Sequence, residues 1–167
     1  LGYQAGLDIT TGGKNVAIGS FSLQAQTTGS STVAIGYEAL CANTTGTYNV
    51  AIGDSAGRKG TDADCNVAVG FAALCSNLGS QSNIAIGMNS LRNTISGCNV
   101  AIGTNALCSN TCGERNIAIG RLAGCKNTTG YNAVAVGNEA LRCNTTGYRN
   151  VAIGAYAGCC NTTGADN

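Results

Sequence analysis

The five residues Asn49-Val50-Ala51-Ile52-Gly53 decide the fold, because close copies of them recur along the whole chain. The tetrapeptide [Val/Ile]-Ala-[Ile/Val]-Gly occurs nine times, and successive copies are 17 residues apart except at one step of 16. A fixed period of this length is the signature of repeat architectures, in which each unit packs on the next. The copies end at structural turn glycines: Gly19, Gly36, Gly53, Gly70, Gly87, Gly103, Gly120, Gly137 and Gly154.

The repeat fills all 167 residues and leaves no linker. Leu1-Gly2 fits as the tail of an earlier copy, because it lies 17 residues before Ile18-Gly19. Residues 1–167 are therefore predicted to form a single β-solenoid repeat domain. The chain starts at Leu1 without an initiator Met, so we expect a fragment of a longer fibre or filament protein.

Each tetrapeptide is predicted to be a short strand. Its first and third residues lie on one face and its alanine on the other, which is the period of two that strands show. The branched residues are the expected core of the strand: Val16, Ile18, Val33, Ile35, Val50, Ile52, Val67, Val69, Ile84, Ile86, Val100, Ile102, Ile117, Ile119, Val134, Val136, Val151 and Ile153.

The rest of each coil consists of a corner, a short apolar segment and a turn. The glycine permits the sharp corner, and turns such as Asn43-Thr44-Thr45-Gly46 bring the chain back to the next strand. Stacked coils would place strands about 4.8 Å apart in parallel register, giving a rod roughly 50 Å long. The predicted fold is all-β, a parallel β-solenoid of about ten 17-residue coils.

Composition argues against several classes of function. Charged residues make up 10% of the chain, the net charge is +1, and His, Pro and Trp are absent. No basic stripe would bind nucleic acid, and no apolar run is long enough for membrane insertion. The carboxylates Glu38, Asp54, Glu114 and Glu139 are scattered, with no recurring acid–base pair. We therefore predict neither an enzyme nor a cofactor.

Ten cysteines favour an oxidising compartment and disulfides. The candidate pairs are Cys41–Cys65, Cys75–Cys98, Cys108–Cys125 and Cys143–Cys160, of which the last two join adjacent coils. Bridges between chains and free, buried thiols are the alternatives. A metal site is disfavoured, because the chain has no His and no Cys-x-x-Cys.

The repeated Asn-Val-Ala-Ile-Gly of residues 15–19, 49–53, 99–103 and 150–154 resembles the head repeats of trimeric autotransporter adhesins. Residues 34–46, with Ala-Ile-Gly followed by Ala-Leu and Asn-Thr-Thr-Gly, are similar to repeats of bacteriophage and viral tail-fibre proteins. The resemblance implies a left-handed β-roll in which three chains associate around a common axis. It also implies an extracellular location, on a cell or virion surface.

The predicted function is that of a structural fibre or adhesin segment, a rigid, disulfide-braced rod for surface attachment or filament assembly. Its partners would be further copies of itself, in a homo-trimer or an end-to-end filament, and a host-surface receptor. Receptor contacts would use the variable residues that follow the corner glycines. These include Tyr3, Tyr37, Asp54, Phe71, Met88 and Arg121.

Two other interpretations concern the Asn-Thr-Thr turns. Their threonine pairs would stack into columns, as in ice-binding β-solenoids, although Asp62, Leu78 and Ile95 interrupt them. The same turns match the N-glycosylation sequon at Asn43, Asn127, Asn144 and Asn161. A turn explains Asn-Thr-Thr-Gly without a sugar, so we favour the turn over glycosylation.

Overall fold

The computed structural model describes all 167 residues as one parallel β-solenoid. Nine three-residue strands form a single sheet in chain order, and every neighbouring pair is parallel. The strands are β1 (Val16–Ile18), β2 (Val33–Ile35), β3 (Val50–Ile52), β4 (Val67–Val69), β5 (Ile84–Ile86), β6 (Val100–Ile102), β7 (Ile117–Ile119), β8 (Val134–Val136) and β9 (Val151–Ile153).

The register follows the sequence repeat. Val16 pairs with Val33 and Val33 with Val50, whereas Ile84 pairs with Val100, across the 16-residue step. The turn at residues 94–99 is one residue shorter than the turn at 43–49, so the deletion lies outside the strands. The predicted stacking is confirmed, with nine strands and about eight turns between them.

Leu1-Gly2 continues the stack at its first edge. The backbone N–H of Gly19 donates to the carbonyl of Leu1 at 2.7 Å, as that of Gly36 donates to the carbonyl of Ile18 at 2.7 Å. The two residues therefore occupy the position of an earlier copy, as the spacing predicts.

The prediction that the valines and isoleucines form the core is wrong. The alanine of each strand points inward, and Ala34, Ala85 and Ala101 are fully buried. The branched residues point outward, because a narrow coil leaves space inside the strand for little more than a methyl group. Val16, Ile18, Ile52, Ile84, Ile86, Ile117, Ile119, Val151 and Ile153 are exposed, and Val33, Ile35, Val50, Val67, Val69, Val100, Ile102, Val134 and Val136 are half-buried.

The interior combines these alanines with the residues three and four positions after each corner glycine. Ala39 and Leu40 are an example of such a pair, and both are buried. Gly57 replaces leucine in the next coil, and a Cβ added to it would lie 2.7 Å from Cδ2 of Leu40. A leucine of one coil thus fills the space above a glycine of the next.

The first asparagine column precedes the strands and is buried. Asn99 is an example: its Nδ2 donates to the carbonyl of Gly113 at 3.0 Å, and its Oδ1 accepts from the backbone N–H of Asn116 at 3.0 Å. These side chains bond from coil to coil. We call this set the strand-side column: Asn15, Asn49, Asn66, Asn83, Asn99, Asn116 and Asn150.

The second asparagine column, the turn-side column, lies in the Asn-Thr-Thr turns. Asn127 Nδ2 donates to Oδ1 of Asn110 at 2.9 Å and to the carbonyl of Gly130 at 2.9 Å. The column is interrupted where Gly60 follows Asn43, so Oδ1 of Asn43 is buried without a hydrogen-bond partner.

Replacing Gly60 by asparagine is expected to repair this column and stabilise the rod by about 1–2 kcal/mol, because a buried acceptor gains its donor. Gly60 does not have a positive φ, and a Cβ there would lie 3.1 Å from the carbonyl oxygen of Asn77, which requires a small shift. The measurement is the thermal midpoint followed by circular dichroism. Gly60→Ala is the control, since it removes the glycine but adds no amide. Equal midpoints for the two variants would contradict the interpretation.

Candidate assembly surface

The outward side of the sheet is a continuous apolar stripe. We call it the sheet face, meaning the eighteen Val and Ile side chains of β1–β9. The nine exposed members have exposed fractions of 38–71%. With strands about 4.8 Å apart, the stripe is about 40 Å long. Soluble monomers seldom expose contiguous apolar patches larger than a few hundred Å², and larger ones mark interaction sites.

Two columns of residues border the sheet face. The upstream rim lies two residues before each strand: Lys14, Ser31, Tyr48, Cys65, Ser82, Cys98, Arg115, Asn132 and Arg149. The downstream rim follows each corner glycine: Ser20, Tyr37, Asp54, Phe71, Met88, Thr104, Arg121, Asn138 and Ala155. Five of the six residues that we predicted for receptor contact lie in this second column, and Tyr3 precedes it.

The predicted carboxylates are held mainly by arginines. Glu139 has a nearly buried side chain and binds both Arg121, at 2.9 Å, and Arg142, at 2.8 Å. Glu38 binds Arg58 at 2.9 Å, whereas Glu114 lies 3.9 Å from Arg115. Asp54 is exposed and accepts a hydrogen bond from Ser55 Oγ at 2.7 Å. The structure therefore brings no two of these carboxylates together.

Aromatic side chains form two small clusters that the sequence analysis did not identify. Tyr3, Phe21 and Tyr37 make successive edge-to-face contacts, with ring centroids 5.5 and 5.8 Å apart. Tyr131 and Tyr148 are stacked at 5.0 Å, and the Arg149 guanidinium lies 5.0 Å from the Tyr148 ring. The 17-residue spacing of Tyr131 and Tyr148 was the available signal, since residues one period apart are neighbours in the stack.

The threonine columns differ in their hydrogen bonding. The hydroxyl of the first threonine of a turn donates to the backbone carbonyl of the next coil, as in Thr44 to Thr61 at 3.0 Å and Thr128 to Thr145 at 3.0 Å. The second threonines, such as Thr45 and Thr129, are exposed. Only this second column presents hydroxyls free of such bonds, and Asp62 and Cys112 interrupt it.

The sequon asparagines belong to the turn-side column. Asn43, Asn127 and Asn144 are at most 2% exposed, and the Nδ2 atom that a glycan would modify donates hydrogen bonds inside the coil. Asn161 is half-buried and donates to Asn144 Oδ1 at 3.1 Å. Burial therefore excludes glycosylation of the folded chain at Asn43, Asn127 and Asn144.

The cysteines are all thiols in the structure. Cys108 and Cys125 lie in adjacent coils with their sulfur atoms 3.3 Å apart, and Cys159 and Cys160 are 3.6 Å apart. The predicted pairs Cys41–Cys65, Cys75–Cys98 and Cys143–Cys160 are not at bonding distance. The disulfides thus stay a prediction, for which Cys108–Cys125 has the most favourable geometry.

Five cysteines share one column with three arginines, a pattern visible in the repeat but missed by the sequence analysis. The order is Cys41, Arg58, Cys75, Arg92, Cys108, Cys125, Arg142 and Cys159. A hydrogen bond from the Cys125 thiol lowers the pKa of Cys108 to about 6, with smaller contributions from Ser109 and Arg92. The same bond raises the pKa of Cys125.

Cys108 is therefore expected to be the most reactive thiol at mildly acidic pH. Its alkylation rate should rise with pH and be half-maximal near pH 6, because the thiolate is the nucleophile. The measurement is the pH dependence of iodoacetamide labelling, resolved by peptide mass spectrometry. Cys125→Ala should move the midpoint up towards that of an ordinary thiol, about 8.5, and Cys112→Ala should leave it unchanged. A midpoint near 8.5 in the unmodified chain would contradict the assignment.

Comparisons with family models, curated proteins and solved structures gave no match. The candidate site therefore depends on the geometry of this chain alone. The structure has no helix long and apolar enough to cross a membrane. Its most extended non-polar feature is the sheet face.

Proposed function

We propose that this chain is a structural segment of an extracellular fibre or adhesin, a rigid rod that works by self-association and surface attachment. The observation that carries the proposal is the sheet face with its nine exposed Val and Ile side chains. Water contact with so long an apolar stripe is unfavourable, at about 25 cal/mol for each Å². Another copy of the same surface would remove it from water.

The continuous backbone ladder supports the mechanical part of the proposal. The chain makes 108 backbone–backbone hydrogen bonds, many of which join residues 16 or 17 apart in adjacent coils. Bending or stretching the rod would strain several of these bonds in each coil at once. A rod of this kind is suited to holding a binding surface away from a cell or virion.

The resemblance to adhesin heads and tail fibres supplies the finer features of the proposal. It implies left-handed coils, three chains around a common axis, and receptor contacts by downstream-rim residues such as Tyr37, Phe71 and Met88. The last strand of the stack, β9, has an unpaired edge beside a hollow lined by Leu141, Ala152 and Asn161. Such an edge could pair with another coil, which supports end-to-end filament assembly. Disulfide bracing, with Cys108–Cys125 as the leading pair, belongs to the same proposal.

Mass measurement by light scattering under reducing conditions tests the proposal. We expect an oligomer, with a mass that is a multiple of the 16.6 kDa chain. Ile84→Asp, at the centre of the sheet face, should shift it towards the monomer while circular dichroism stays unchanged. Thr129→Asp, an equally exposed change away from the sheet face, should not.

A monomer at all concentrations would overturn the self-associating rod. Thermal hysteresis of the same monomeric sample in cold solution would favour the ice-binding alternative, for which the second threonine column would be the surface. The two functions are thus separated by two measurements on one preparation.

A further inference from the structure

The rims of the sheet face are not random in charge and residue type when they are compared about the central strand. β5 has four strands on either side. On the downstream rim, Asp54 follows β3 and Arg121 follows β7, so they are equally far from β5 in opposite directions. Both are exposed.

The upstream rim shows the same relation. Tyr48 and Arg115 precede β3 and β7, and both are well exposed. Cys65 and Cys98 precede β4 and β6, and both are exposed. Residues of complementary chemistry are therefore found at equal distances from β5 on both borders of the sheet face.

A two-fold axis that runs along the strand direction at β5 brings these residues together between two copies. The axis reverses the order of the coils and keeps each rim on its own side, so β3 of one copy faces β7 of the other. A two-fold interface is self-complementary, and each pair occurs twice. Asp54 would face the partner's Arg121, and Tyr48 would face the partner's Arg115 in a cation–π geometry.

The remaining rim residues are compatible with this axis. Ser82 and Met88, which flank β5, would each meet their own copies. Lys14 would face the partner's Arg149, but that guanidinium is already neutralised by Asp166 at 2.8 Å. Arg121 shares Glu139 with Arg142, which leaves one positive charge in excess for Asp54.

The surface is large enough for a stable dimer. Nine strands span about 40 Å, and the seven residues from one rim to the other span about 20 Å. Roughly 800 Å² of each copy would be covered, which is the standard size for a specific interface. The charged residues would lie at the border and the Val and Ile side chains at the centre, as in protein interfaces generally.

We infer that the sheet face is a dimer interface, in which a second copy of this chain packs antiparallel about a two-fold axis through β5. The inference rests on the proposed self-association and differs from the trimer that the resemblance implies. Chains arranged in parallel around a three-fold axis place equal heights together, so they would not bring Asp54 near Arg121. Within one chain these two residues are four coils apart, about 19 Å.

A charge exchange under reducing conditions tests the pairing. Asp54→Arg alone should weaken dimerisation about tenfold, because two rim attractions become repulsions. Adding Arg121→Asp in the same chain should restore the dimer, since opposite charges then face each other again with their positions exchanged. The matched control adds Arg92→Asp, which changes the net charge equally but lies outside both rims, and it should not restore the dimer. Dissociation constants from sedimentation equilibrium supply the comparison.

The outcomes separate the inference from the proposed function. Restoration by Arg121→Asp alone supports the antiparallel dimer. Equal restoration by Arg92→Asp, or a stable trimer indifferent to all three changes, overturns the dimer and leaves the self-associating rod intact. A monomeric unmodified chain overturns both.

Discussion

Replacing Gly87 by alanine is expected to destabilise the rod by about 4 kcal/mol, the largest single effect that we predict. Gly87 has φ of 127°, which costs an L-residue about 1–2 kcal/mol. An added Cβ would also lie 2.7 Å from the carbonyl carbon and oxygen of Gly103 in the next coil. Relieving that overlap would separate two coils in the middle of the stack, at a further cost of about 2–3 kcal/mol.

Gly154 provides the control for this prediction. Its φ is 124°, close to that of Gly87, but no atom lies within 4 Å of an added Cβ because no coil follows it in the stack. Gly154→Ala should therefore show the backbone cost alone. The measurement is urea unfolding followed by circular dichroism. Equal losses for the two variants would show that close stacking of the corners is not what selects glycine.

Replacing Asn99 by alanine is expected to cost about 3 kcal/mol. The change removes the donor to the carbonyl of Gly113 and the acceptor for the N–H of Asn116, and both backbone groups lie in the interior. Leaving buried polar groups unpaired costs about 1–3 kcal/mol each. Unfolding of the variant in urea gives the value.

The reverse change is available at residue 133, where alanine occupies the strand-side column. Ala133 is buried and offers no side-chain acceptor to the next coil, whereas Asn116, one coil earlier, accepts from its N–H at 3.0 Å. Ala133→Asn should therefore stabilise the rod by about 1 kcal/mol. If Asn99→Ala were neutral and Ala133→Asn destabilising, the column would have no role in joining the coils.

The stacking could be predicted from the sequence because the repeat specifies which residues are neighbours. The spacing of 17 gives the pairing of Val16 with Val33, and the single step of 16 gives that of Ile84 with Val100. Glycine at every corner was readable for the same reason, since close stacking and positive φ both require it. All nine corner glycines have φ between 120° and 134°.

The direction of the strand side chains was the main failure. Bulky aliphatic residues usually form a core, so Val and Ile were assigned inward. The contrary signal lay in the repeat itself: the middle residue is alanine in every copy, from Ala17 to Ala152, whereas its neighbours switch between Val and Ile. Invariance of a small residue indicates a tightly packed position. The Asn two residues earlier shares its face, which also places that face inside.

The local backbone could not be predicted in full. Leu23, Glu38 and Tyr48 have φ of 49°, 53° and 58°, although none of these residue types favours the left-handed region. The coil-to-coil ladder holds them there: Leu23 donates to Ala39 O at 3.0 Å and Glu38 donates to Ser20 O at 3.0 Å. Such positions arise from the whole stack, and a single coil carries no sequence signal for them.

Methyl–methyl NOEs in a chain labelled at Ala, Ile, Leu and Val methyl groups test the central claim most directly. Parallel in-register stacking predicts contacts between strand alanines 17 residues apart, such as Ala34 with Ala51, and a single contact 16 apart, between Ala85 and Ala101. The same alanines should contact leucines such as Leu40 and Leu107. Contacts at any other spacing, or Ile52 and Ile84 methyl groups packed against those leucines, would contradict the account.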